Sequence, residues 1–134
     1  MTALPAARST RRLATACALA LAATVPLALP ATHAHAATGC EPVAKTPQTN
    51  SYTHWAEGVA TLPCGGYYTV KLVTSAGVTL TQSSGNAYQT NITVYTNWVT
   101  CPSGTVVHTW ASDTVVIQGN SYTATSTSSS TTCP

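Results

Sequence analysis

Beyond residue 66 the chain alternates between apolar and polar positions. Tyr68, Val70 and Leu72 fall on one face of a strand over 67–74, and Tyr67, Thr69 and Lys71 on the other. Ser75-Ala76-Gly77 turns that strand into a hairpin partner over 78–81. Upstream, Tyr52–Trp55 and Val59–Leu62 read as one kinked strand with Gly58 as a bulge, closed by the turn Pro63-Cys64-Gly65-Gly66. The segment 82–87 holds no apolar residue except Ala87 and is predicted to be a mobile loop.

The longest predicted strand follows, over 88–101. Ile92, Val94 and Trp98 share one face, which predicts a core position for Trp98. Gln89, Asn91, Tyr95 and Asn97 share the other, although Val99 and Cys101 fall in the same set. Pro102-Ser103-Gly104 turns into a strand over 105–111, and Ser112-Asp113 into another over 114–118. Gly119-Asn120 leads to 121–127, and 128–132 is a polar tail tied back by Cys133.

Beyond residue 36, Thr, Val and Tyr are abundant, Phe is absent, and no segment shows a charged helical face with apolar residues three and four apart. Six or seven short strands at such spacing predict an all-β domain, a small antiparallel β-sandwich or partly open barrel. The immunoglobulin type lacks its sign, because Val99 rather than Tyr stands two residues before Cys101.

Charge then divides the chain. Arg8, Arg11 and Arg12 precede an uncharged run, Leu13–Leu29, and Ala34-His35-Ala36 offers small residues for cleavage. This order predicts a secretory signal peptide over 1–36, of a composition suited to a bacterium, and a single domain over 37–134. Lys45 and Lys71 against Glu41, Glu57 and Asp113 leave that domain at a net charge of −1, unlike the +2 of the whole chain.

With Cys17 in the leader, Cys40, Cys64, Cys101 and Cys133 remain. An even count in a small exported domain predicts two disulfides, and sequential pairing, Cys40–Cys64 and Cys101–Cys133, clips each end. Each closure stabilises by about 3–4 kcal/mol in the chain-entropy account.

The charge count excludes several partners. Two lysines cannot neutralise a phosphate backbone, so neither nucleic acid nor an anionic membrane is expected. His54-x-x-Glu57 suits a metal site only on a helix, and the carboxylates are too scattered for calcium, so no metal or other cofactor is expected. His108 with Asp113 has the residue types of a base and its orienter, but no motif selects a nucleophile. Glu41 and Asp113 read as solvated charges. The alternating Thr123, Thr125 and Thr127 read as a solvated strand face.

Cys64-Gly65-Gly66-Tyr67-Tyr68-Thr69-Val70-Lys71-Leu72-Val73 resembles the strand that follows a cysteine in tendamistat-type α-amylase inhibitors. The leader, the four cysteines and the all-β pattern fit the same layout. That family presents a Trp-Arg-Tyr tripeptide to its target, whereas no arginine stands beyond residue 36 here. The resemblance therefore assigns no functional residue.

What remains is binding through neutral, aromatic and hydroxyl surfaces. Gln89, Asn91, Tyr95 and Asn97 form the expected patch for another protein or a neutral polysaccharide. The leading reading is a secreted protein-binding module without enzymatic activity: an inhibitor, a toxin-complex component or a cell-surface module. A lectin-like carbohydrate-binding domain is the alternative, and a small secreted hydrolase comes third.

Overall fold

The computed structural model describes residues 39–134, so the predicted leader lies outside the described residues. Nine strands fill the rest: β1 (Val43–Asn50), β2 (Trp55–Leu62), β3 (Gly66–Thr74), β4 (Thr79–Ala87), β5 (Ile92–Tyr95), β6 (Val99–Thr100), β7 (Val106–Ile117), β8 (Asn120–Thr127) and β9 (Thr131–Thr132). They form two antiparallel sheets. The small one runs β1-β2-β5, with β6 also on β2; the large one runs β4-β3-β7-β8, with β9 also on β7. An all-β, sandwich-like fold with two disulfides is thus present, with more strands than the pattern predicted.

The core lies between the sheets. Ala60 and Leu62 of β2 meet Val70, Ala87, Val94 and Ala111. Ala56, Leu72 and Val107 pack around the Cys101–Cys133 disulfide. The second bridge joins Cys40 to Cys64, with Cα atoms 5.2 Å apart. Both pairings are the sequential ones.

At Gly58 the backbones of the two sheets approach closely. A β-carbon there would stand 3.0 Å from the Lys71 carbonyl oxygen, so β2 needs a residue without one. β2 does not itself bulge at Gly58: on each side of it the extra residue lies on the neighbouring strand, on one side between Tyr95 and Val99. On the other side it lies on β1, between Lys45 and Gln48. That strand went unread because Pro47 and its polar neighbours hide it, a composition that an edge strand tolerates.

Four further expectations are corrected. Tyr52 and its neighbours form a turn rather than a strand, because the Asn50 side chain accepts hydrogen bonds from the Tyr52 and Thr53 amides. The segment 82–87 is not a mobile loop but the body of β4, paired with β3 from Gly66 to Val73. Ser112-Asp113 is not a turn either. β7 runs straight through it, and Asp113 is buried on the inner face with Val107, Thr109, Ala111 and Val115.

The fourth correction concerns the strand predicted over 88–101, which breaks at Thr96–Trp98 into β5 and β6. β5 pairs Val59 with Tyr95, whereas β6 pairs Ala56 with Val99, so the second segment has slipped by one residue. An extra residue reverses which parity faces inward. This is why Val99 and Cys101 share odd numbering with exposed Tyr95 yet point to the core. It is also why Trp98 is not a core residue and remains 40% exposed.

Candidate functional site

The outer face of the small sheet gathers the features that could recognise a ligand. Ala56, Gly58, Ala60 and Leu62 of β2 face the interior, so alternation sends Trp55, Glu57, Val59 and Thr61 outward. Glu57 stands at the middle of this row. Gln48 of β1 lies opposite it. On the other side the β5 register brings Asn97 to Glu57 and the β6 register brings Trp98, so both fall there at the extra residue. Tyr95 sits beside Val59.

Three aromatic side chains around this carboxylate are open to solvent: Trp55 at 45%, Tyr95 at 46% and Trp98 at 40%. Glu57 itself is only 6% exposed, and this burial raises its pKa above the ordinary carboxylate range. The break that projects Tyr95, Asn97 and Trp98 is pinned by buried Thr96. Its amide donates to the Gly58 carbonyl at 3.0 Å, and its hydroxyl accepts from the Gly58 amide at 2.8 Å. The same hydroxyl donates to the Asn97 carbonyl at 3.1 Å. A second tie enters from the large sheet, where Thr109 Oγ1 accepts from the Val59 amide at 3.2 Å. Two buried hydroxyls are therefore bonded to adjacent amides of β2, those of Gly58 and Val59, beneath the aromatic row.

The four residues expected to form one patch are all exposed, but they divide. Tyr95 and Asn97 belong to the aromatic face. Gln89 and Asn91 lie beyond the other end of β5, beside the Cys64 turn, where the Asn91 amide donates to the Pro63 carbonyl at 3.0 Å. Four residues of extended chain, about 13 Å, separate Asn91 from Tyr95. Trp55, Glu57 and Trp98 were not selected from sequence. The reversal of parity between β5 and β6 hid Trp98, and the missed strand β1 hid the setting of Glu57.

The other titratable groups do not converge. His54 lies in the turn before β2, its Nδ1 2.8 Å from the Pro134 carbonyl oxygen. His108 and Asp113 are five apart on one strand, so they point to opposite faces of the large sheet and cannot act as base and orienter. Glu57 faces outward from the small sheet and Asp113 inward from the large one, which leaves β2 between them. No group of three metal-ligating side chains gathers among the described residues. On the outer face of the large sheet, Lys71 Nζ lies 4.7 Å from the centre of the Trp110 ring, a cation–π contact.

No family model, curated protein or solved structure matches this chain. The short likeness of Cys64–Val73 to amylase inhibitors carries no functional residue here.

Proposed function

We propose that the protein is an exported binding module whose contact surface is the outer face of the small sheet, centred on Trp55, Tyr95 and Trp98. The observation that carries this reading is the exposure of three large aromatic rings around one carboxylate. Tyr and Trp combine apolar area with a polar handle at little entropic cost, and they dominate the energetics of protein interfaces. Another protein is the leading partner class. The flanking Gln48 and Asn97 are uncharged, which suits a neutral surface. Two disulfides fit an oxidising, extracytoplasmic setting.

A neutral polysaccharide is the second reading. It is favoured by Glu57, a shielded carboxylate with stacking surfaces on either side of it, which could accept sugar hydroxyls. Catalysis has less support, because His108 and Asp113 face apart. Capture on immobilised protein from the producer's medium and cell wall, run beside pull-downs on cellulose, chitin and starch, separates the first two classes. Retention on a polysaccharide that Tyr95→Ala abolishes selects the sugar; a protein captured by the wild type and lost by the same variant selects the protein.

A further inference from the structure

The large sheet ends in an unguarded strand. Natural sheets blunt their free edges with charge, proline, bulges or short strands, because unpaired backbone groups recruit another chain. Three edges here are blunted in those ways. β1 carries Lys45, Pro47 and a register shift; β5 and β6 have four and two residues; β4 has a register shift and Gly85 within it. β8 has none of them. Its eight residues, NSYTATST, contain no charge, proline or glycine, and they pair with β7 without a shift.

Its free backbone groups can be assigned. The Ser128 amide donates to the Thr109 carbonyl at 2.9 Å, which makes these two a hydrogen-bonded pair. Gln118 and Gly119, at φ 50° and 79°, form a two-residue turn that makes Ile117 and Asn120 another. Alternation between these two points gives β7 the amides and carbonyls of Asn120, Tyr122, Ala124 and Ser126. Those of Ser121, Thr123, Thr125 and Thr127 point away from the molecule, and all four residues are exposed. Ser126 Oγ accepts from the Ala44 amide at 3.1 Å, which ties β8 to β1 from its inner side and leaves the outward set open.

We propose that β8 is a self-association edge, joining a second copy of this chain antiparallel about a two-fold axis at Ala124. In that register Ser121 meets Thr127 of the second copy and Thr123 meets its Thr125, so every outward amide faces an outward carbonyl. The strand has no charge to repel its twin. Its outer hydroxyls repeat a pairing that the sheet already uses, at Thr114 with Thr123, 2.8 Å apart, and at Thr69 with Ser84, 2.9 Å apart. The contact is isologous and closed, so it yields a dimer rather than a fibre. It is independent of the aromatic face, which it would present twice on one particle.

Sedimentation equilibrium of the purified protein with both disulfides formed tests the proposal. The wild type is expected at twice the chain mass at high concentration, dissociating on dilution. The double variant Thr123→Lys/Thr125→Lys sets lysine against lysine across the axis and should sediment at the single-chain mass throughout. Hydrogen exchange on the wild type gives a reading free of any folding defect: the Thr123 and Thr125 amides should slow as concentration rises, while those of Tyr122 and Ala124 stay protected. A monomer at millimolar concentration, or Thr123 and Thr125 amides whose exchange ignores concentration, would overturn the proposal.

Discussion

Gly66 packs directly on Asp113. A β-carbon at position 66 would lie 2.8 Å from Asp113 Oδ1 and 2.5 Å from the Thr114 carbonyl oxygen. The carboxylate beneath is 1% exposed, and neither oxygen has a hydrogen-bond partner. Burial pushes its pKa up to about 6, and the Thr114 amide, which acts in the opposite direction without forming a hydrogen bond in the structure, offsets only part of the shift.

This acid should make the fold more stable as pH falls. In the unfolded chain the carboxyl titrates near 3.8, and in the fold near 6. Its penalty is therefore complete above pH 6, shrinks between 6 and 3.8, and is absent below. Glu57, also raised, acts in the same direction. The thermal midpoint of the wild type should rise from pH 7.5 to pH 4, and Asp113→Asn should be the more stable protein at pH 7.5 but not at pH 4. Charge count alone, with Asp113 in solvent, predicts almost no change over this range.

Gly66→Ala should be severely destabilising. Position 66 has φ 144°, and the new methyl would strike a backbone oxygen that cannot move aside. A loss of at least about 2 kcal/mol in urea unfolding is expected. Gly77→Ala, at φ 84° in open space, should cost only about 1 kcal/mol.

The two disulfides should differ in reactivity. Cys101 and Cys133 are buried in the core, whereas Cys64 is exposed. Under mild reductant, mass mapping should show Cys40–Cys64 opening first. Reversal of that order would mean that the Cys101 end of the sandwich is the looser one.

Where the pattern was strict, the sequence could be read. β3 alternates without interruption, and its turns follow from Gly and Pro, whereas of its partner strand only the start was legible, because 82–87 holds no apolar residue except Ala87. Asp113 was misread because a charge beside Ser is a turn signal, and local chemistry does not show that Val107, Thr109, Ala111 and Val115 carry one face straight past it. Of the candidate site, only Tyr95 and Asn97 were legible, for a similar reason. Tyr95 and Asn97 keep the period of β5, but one inserted residue turns Trp98 outward, and insertions of that kind leave no mark on composition.

Trp98→Ala should accordingly be mild, at about 1–2 kcal/mol, whereas Leu72→Ala, fully buried, should cost about 3–4 kcal/mol. Urea midpoints of the two variants measure the contrast. Equal losses would return Trp98 to the core.

Binding should hardly respond to salt, since among the described residues only Lys45 and Lys71 are positive and Lys71 is engaged with Trp110. Added salt screens exposed charges beyond roughly 8–10 Å, and few are present to screen. A tenfold loss of affinity between low and physiological ionic strength would point to a charged partner.

The aromatic face is tested most directly by one paired comparison: partner retained by immobilised wild type against that retained by Tyr95→Ala and Trp98→Ala, at temperatures where all three are folded. Retention should fall at least tenfold in both variants, while Gln89→Ala, at the far end of β5, should bind like the wild type. Undiminished retention by both aromatic variants would contradict the assignment of this face as the binding surface.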